Sequence, residues 1–489
     1  MASISFLSFE RVVLWCCPLA VAALFLLHRT VTPPRAIRHL PCVPILPLLR
    51  SYLLREPDDV RFQRLIMPFA DEKGEGVVVV WTLGLWMIHI IDRKLFAQVI
   101  TAYNMYPKAR ISPGTMFVRF MGSLHIGQLN GDEWKRKSSL VQGAFAQPLP
   151  IDLFTSLSRS VFEAIEATSS DSSNSFTVCL SDIAQNFALD AVGTSLLGYH
   201  FDALRVQSPF VNDYNQMMDD IANPLYLVFP VLKRLLPRLK VMARVDHLLH
   251  KFQQLIDAKR SEPRNDIITF LLNDSGLSQD ALLSNVAALF IASHDTTAGA
   301  MSTLVYHLAV DRHVQAKARE EVLRVLGPTK DPSVALIRPH FMPYLNACIH
   351  EALRINPPAS VLPPRICRTD FSLGKYHIPA GSQLMANIYA VHHRKSIWND
   401  PGVFRPERFL EGKQEWLPFS IGPRQSPGQN FAQYEMRTLA AMLLRRYEWT
   451  LPEGSIHARG LKNALFTLSL MVPKDLDITF RPLDGQKWQ

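Results

Sequence analysis

Between about residues 50 and 360, apolar residues recur at spacings of three and four, broken by short polar runs such as "SSDSSNS" at 169–175. That period turns one side of each successive turn inward, so it predicts a series of amphipathic helices. Alternating or continuous β-branched runs are few and short: "GVVVVWTLG" from Gly76, "MIHIID" from Met87 and "YHIPAGSQLMANIYAV" from Tyr376 to Val391. These predict strands. The pattern as a whole predicts a mainly α protein with a small mixed β-sheet, in one large domain. No fixed-period repeat and no dividing linker interrupts it. One segment departs from amphipathicity. "LSQDALLSNVAALFIASHDTTAGAMSTLVYHLAVD" is apolar on all sides behind an N-cap at Ser278, which predicts a helix running through the core.

The first residues follow another pattern. Val12 to Leu27 carries no charge, and Phe6, Leu7 and Phe9 lengthen the run towards the roughly 20 residues that span a bilayer. His28, Arg29, Arg35, Arg38 and His39 follow it, which places the bulk of the chain on the cytosolic side. A cleaved signal peptide is the competing reading, but no small-residue cleavage site follows Leu27. The expected division is a transmembrane anchor over residues 1–29, a stiff hinge over 30–50 built on Pro33, Pro34, Pro41, Pro44 and Pro47, and a body over 51–489.

Composition narrows the class. At 48% hydrophobic and 19% charged residues the chain can build a large core and leaves no room for extended disorder. The net charge of +9 suits an anionic membrane or an acidic partner; no arginine-rich or aromatic-interleaved run points to nucleic acid. The cysteines, at 16, 17, 42, 179, 348 and 367, form no CxxC pair, as expected of a protein in a reducing, cytosol-facing setting.

Four places carry candidate chemistry. His294, Asp295, Thr296 and Thr297 sit mid-way along the core helix, where polar groups are costly unless paired or facing a cavity. The threonines can instead bond back to the preceding turn, with Asp295 finding a structural partner. In "YLNACIHEALRINPP", Glu351 and Arg354 share one helix face. In "DPGVFRPERFL", Arg408 either joins them or lies in a surface turn. Finally, "LPFSIGPRQSPGQNFAQYE" opens a long helix with Gly422 and Gly428, which permit unusual backbone angles or close approach by a flat ligand.

In this order and spacing the four segments resemble the cytochrome P450 superfamily, over nearly the whole chain and most closely the microsomal type of fungal secondary metabolism. The resemblance implies the P450 fold, a haem cofactor, an apolar small-molecule substrate, a NADPH-cytochrome P450 reductase partner where the chemistry is redox-active, and an endoplasmic-reticulum membrane location. It implies that "ASHDTT", Ala292 to Thr297, lines the oxygen groove, with Asp295 and Thr296 relaying protons and His294 beside them. Glu351, Arg354 and Arg408 would lock the structure beneath the haem. Trp134 in "GDEWKRKSSL", Arg365 in "PPRICRTD" and Arg424 would hold its propionates, with Gly422 and Gly428 in the cofactor loop. Lys135, Arg136 and Lys137 form a basic run for reductase docking or a solvated helix face.

Three departures surround that cofactor. The axial cysteine position is Ser426, the arginine four residues after Trp134 is Ser138, and the groove's glycine is Ser293. A thiolate donates electron density to haem iron and favours O–O cleavage, whereas a serine hydroxyl is far less acidic and its oxygen is a hard donor. Ser426 also reads as a helix cap, since "SPGQ" has the form of a capping box with proline at the first helical position. The expectation is therefore a biosynthetic enzyme that folds an apolar terpenoid- or polyketide-type molecule for redox-neutral cyclisation or rearrangement, with Asp295 or His294 assisting as acid or hydrogen-bond donor and haem weakly held or absent. The alternatives are a monooxygenase with serine or water as axial ligand, and a non-catalytic ligand-binding protein.

Overall fold

The computed structural model describes residues 31–483, with breaks at 74–75, 83, 111–114, 169–174, 207, 230–231, 265, 274–275, 413–414 and 466–468, and also positions 21, 25 and 28. The expected anchor over 1–29 lies almost wholly outside the described residues. Among the described residues no helix is long and apolar enough to cross a membrane.

The long helices are α1 (Gly131–Phe145), α2 (Ile151–Glu166), α3 (Leu180–Val192), α4 (Pro209–Ile221), α5 (Leu239–Ser261), α6 (Gln279–Val310), α7 (Arg312–Leu326), α8 (Pro343–Ile355) and α9 (Gln429–Arg446). Helix α6 is the predicted core helix. The Ser278 hydroxyl caps it by accepting from the Ala281 amide at 3.2 Å. Its sides pack into the main apolar cluster with residues of α2, α3, α5, α8 and α9. Burying apolar side chains on every face stabilises such a helix at roughly 25 cal/mol per Å² removed from water.

Strands β1 (Val77–Thr82), β2 (Leu85–Ile90), β4 (Arg365–Ile366) and β7 (Gln383–Ala386) make the small mixed sheet, in the order β1-β2-β7-β4. β1 and β2 form an antiparallel hairpin, β2 and β7 are parallel, and β7 and β4 are antiparallel. β5 (Phe371–Leu373) pairs with β6 (Tyr376–Ile378). A third sheet joins β3 (Phe176–Cys179), β9 (Asp477–Pro482) and β8 (Tyr447–Thr450), with β9 in the middle.

Two expectations are corrected. The strand read as far as Val391 ends at Ala386, because the Asn387 side chain accepts from the Ala390 amide at 2.8 Å and starts a helix over Ile388–His393. The proline-rich stretch, expected as a stiff hinge over 30–50, is bonded to the body in its second half. The Val43 amide donates to the Val79 carbonyl at 2.9 Å and the Val79 amide to the Pro41 carbonyl at 2.7 Å, so the chain is stitched onto the edge of β1. Val43 and Leu48 are buried there, and Pro44 leads into a helix over Ile45–Leu53.

Candidate active site

The middle of α6 sorts its polar groups onto two sides. Ala292, Ser293 and Thr296 are accessible, while His294 and Asp295 are buried at 1% and 3% exposure. The Thr296 hydroxyl donates to the Ala292 carbonyl and the Thr297 hydroxyl to the Ser293 carbonyl, both at 2.8 Å, which is the back-bonding open to threonines in a helix. Asp295 turns the other way. One of its oxygens accepts from the Tyr214 phenol of α4 and the other lies 3.0 Å from His294 Nε2. His294 Nδ1 meets the Phe290 carbonyl at 2.7 Å. Both ring nitrogens thus face acceptors, an arrangement that favours the doubly protonated imidazolium. Burial disfavours that charge, but the Asp295 carboxylate and the Phe290 carbonyl outweigh it and lift the His294 pKa above its ordinary 6.5. Burial and the same carboxylate push the Tyr214 phenol well above its ordinary value. Rings from Phe290 and Tyr214 close over the pair, with centroids 4.3 and 5.1 Å from His294. The sequence grouped His294, Asp295 and Thr296 at one ligand; the fold separates them.

The glycine-bearing loop is fixed by backbone hydrogen bonds. The Leu417 amide donates to His392 Nε2 and the Ser426 amide to the Phe419 carbonyl, each at 3.0 Å. Gly422 has φ +73° with Thr101 3.3 Å from where a Cβ would stand, and at Gly428 that atom would lie 3.3 Å from the Phe145 ring. The capping-box reading fails. Helix α9 begins at Gln429, its N-cap is Gly428 and no side chain caps it. Pro427 and Gly428 form a turn ahead of the helix, and the Ser426 hydroxyl makes no cap hydrogen bond to it. Ser426 is exposed.

A ring of basic groups gathers from four distant parts of the chain. Arg424 lies over the Trp134 ring at 4.2 Å and donates to the Leu129 and Ile126 carbonyls at 2.9 and 3.3 Å. Arg365 donates to the Tyr106 carbonyl at 3.1 Å, and its buried Nε has no partner. Lys108 donates to the Gly127 carbonyl at 2.5 Å. Burial, then the charges of Arg424 and Arg365, hold Lys108 well below its usual pKa. Burial lowers Arg365 to about 10, and burial together with Arg365 lowers Arg424 to about 9. His125 is brought to about 4 by burial and then by Lys108, and neither ring nitrogen has a partner. These groups lean on carbonyls rather than carboxylates, and a dianion is the ligand that would relieve them. Sequence reading found Trp134, Arg365 and Arg424 but missed Lys108 and His125. Ser138 takes no part, because its hydroxyl donates back to the Lys135 carbonyl at 3.1 Å. In the basic run, Lys137 is buried and paired with Glu133 at 2.8 Å, and exposed Lys135 pairs with Asp132 at 3.2 Å.

Away from this ring, Glu351 accepts from Arg354 Nε at 2.7 Å, Arg408 Nε at 2.9 Å and the Arg405 amide at 2.9 Å. Glu351 and Arg354 are fully buried and Arg408 is 3% exposed, so the network is interior and not a surface turn.

The comparisons agree with this architecture. A family model described as Cytochrome P450 matches residues 41–479. The chain is 25% identical over 422 residues to the cytochrome P450 monooxygenase xanG of Aspergillus fumigatus, covering 78% of this chain and 77% of that protein. It is 25% identical over 431 residues to 7-deoxyloganic acid hydroxylase of Catharanthus roseus, covering 81% and 79%. It is 31% identical over 263 residues to a steroid 17-alpha-hydroxylase/17,20 lyase of Cavia porcellus, covering 52% and 50%. The crystal structure of the cytochrome P450DA heme domain superposes with a TM-score of 0.75 at 20% identity, covering 91% of this chain and 96% of that one, a likeness of fold. This chain belongs to the cytochrome P450 family.

That fold implies haem, and the residues fit it in part. The unsatisfied basic ring matches two carboxylates, whereas Gly422 and Gly428 make room for Thr101 and Phe145 of the protein itself. The glycine-bearing loop offers no thiolate for the iron: position 426 is a hydroxyl, and the described cysteines, 42, 179, 348 and 367, all lie elsewhere in the sequence.

Proposed function

We propose that this chain is a biosynthetic enzyme that uses a P450 pocket to hold an apolar molecule of terpenoid or polyketide type and carries it through a redox-neutral cyclisation or rearrangement. The observation that carries the reading is Ser426, an uncharged oxygen donor on a loop fixed by backbone hydrogen bonds. Haem, when bound, supplies iron-centred oxidation, and in this family the push for it comes from a thiolate, for which position 426 offers only a hydroxyl. Holding reacting carbons in a near-attack arrangement lowers a barrier without a metal, by roughly 7–11 kcal/mol at best. Asp295 and His294 are engaged with each other and with Tyr214, which disfavours a proton relay through Asp295 and leaves positioning rather than acid assistance to lower the barrier.

The basic ring favours a second reading, a haem-dependent monooxygenase working with serine or water at the axial position. Absorption spectra of the purified wild type beside Ser426→Cys, reduced and exposed to carbon monoxide, separate the two when paired with turnover assays. The redox-neutral reading expects a thiolate-type band in the variant alone, with wild-type conversion that needs neither NADPH nor oxygen. Conversion that stops without NADPH, reductase and oxygen would sink it and leave the monooxygenase. As to location, exposed Leu225, Phe229, Leu235, Leu236 and Leu239 beside Lys233 and Arg234 support association with an anionic membrane, in keeping with an anchor ahead of the described residues.

A further inference from the structure

Between residues 284 and 306 of α6, Ala292, Ser293 and Thr296 are the only positions that are not buried. Twenty-odd residues of a core helix therefore open at one patch, and that patch carries two hydroxyls. They are not equivalent. The Thr296 hydroxyl has given its proton to the Ala292 carbonyl and keeps its lone pairs free. The Ser293 hydroxyl has no protein partner among the described residues, so its proton remains available. Ser293 and Thr296 stand three apart, which places them on neighbouring turns of one face. The patch thus offers one donor and one acceptor, both uncharged. The charges nearest in sequence, His294 and Asp295, are paired with each other and buried on the opposite side behind Tyr214 and Phe290.

We infer that Ser293 and Thr296 form a subsite for one neutral oxygen, a hydroxyl foremost, on an otherwise apolar substrate; this rests on the reading of the chain as an apolar-substrate enzyme. A substrate hydroxyl accepts from Ser293 and donates to Thr296, using both free valences at once. A carboxylate or ammonium group gains no counter-charge there, because the imidazolium and the carboxylate already neutralise one another. A hydrocarbon fills the space but leaves the Ser293 proton unpaired. The pair therefore orients the substrate, setting which carbons lie over the rest of the pocket. Ser293 is a specificity-determining residue in this account. The serine also explains itself: a position that needed only room would hold a smaller residue.

The test uses the full-length protein as purified and two probes with the same carbon skeleton, farnesol and farnesene, which differ by the hydroxyl. Calorimetric titration of the wild type is expected to give farnesol the tighter dissociation constant by about three- to tenfold, the range for one or two net hydrogen bonds. Ser293→Ala, a substitution that favours the helix, should erase that preference while leaving the farnesene constant within about twofold; Thr296→Val should reduce the preference in part. Equal binding of the two probes by the wild type, or equal weakening of both by Ser293→Ala, overturns the subsite while leaving the apolar pocket standing. Failure of either probe to bind at all overturns the apolar pocket and the subsite with it.

Discussion

A single buried carboxylate holds together an interior cluster of arginines. Glu351 accepts from both nitrogens of the Arg354 fork, from Arg408 and from the Arg405 amide, so its oxygens are saturated. Arg354 and Arg408 use their remaining hydrogens on the His392, Asn399 and Val403 carbonyls. Removing the charge strands two buried guanidinium groups, which typically costs about 3–5 kcal/mol. Glu351→Gln is accordingly expected to lower the urea midpoint of unfolding by an amount equal to several kcal/mol, and a change below about 1 kcal/mol would show the network to be dispensable. Glu351 and Arg354 were legible in the sequence because three residues apart on a helix is a local relation. Arg408 came only through family likeness, and the carbonyls that complete its bonds could not be read at all, since a carbonyl leaves no mark in the residue type.

At the scale of an element, α6 was readable as a buried helix, but its two sides were not. A helix that is apolar all round offers no stripe to say which way Asp295 points, and adjacent residues diverge by about 100° around the axis. The partner that decides the matter, Tyr214, is on α4, far away in sequence. The arrangement has a pH signature. The folded His294 pKa lies above 6.5, so its contribution to stability is full below pH 6.5 and is lost as pH rises through the folded value. Other histidines push the opposite way, because burial holds His89 at about 4 and His307 at about 3 in the folded protein. The raw trend therefore mixes signs, and the informative quantity is the difference between wild type and Asp295→Asn. Unfolding midpoints at pH 6 and pH 8 should show that the wild-type advantage over the variant shrinks at the higher pH. A constant advantage would mean that the ring is not held as an imidazolium.

For the whole molecule, the basic ring is the feature that depends on every part of the chain being in place. Lys108, His125, Arg365 and Arg424 meet only after folding, and no window of sequence contains more than two of them. This is why two of the four went unread, while Arg424 stood inside a motif. Their pKa shifts predict a proton linkage. Burial and mutual repulsion hold Lys108 and His125 low in the free protein, so a dianion that raises them takes up protons on binding. Binding of metal-free protoporphyrin IX, followed by fluorescence, should therefore weaken from pH 6 to pH 8. Lys108→Met should weaken it at both and flatten the dependence, and the dimethyl ester should bind poorly. The probe has no iron, so residue 426 has no bearing on the result. Affinity that ignores pH, Lys108 and esterification alike would remove the carboxylate assignment.

The strand order of the third sheet fixes when this protein can be finished. β9 lies between β3 and β8, so the strand with which both pair is among the last to leave the ribosome. Through most of synthesis Phe176–Cys179 waits with its edge open, guarded by neighbouring helices alone. A message truncated between the codons for Thr450 and Asp477 would yield a product with every long helix present and two unpaired edges. Such fragments belong to the quality-control machinery rather than to the metabolic pathway.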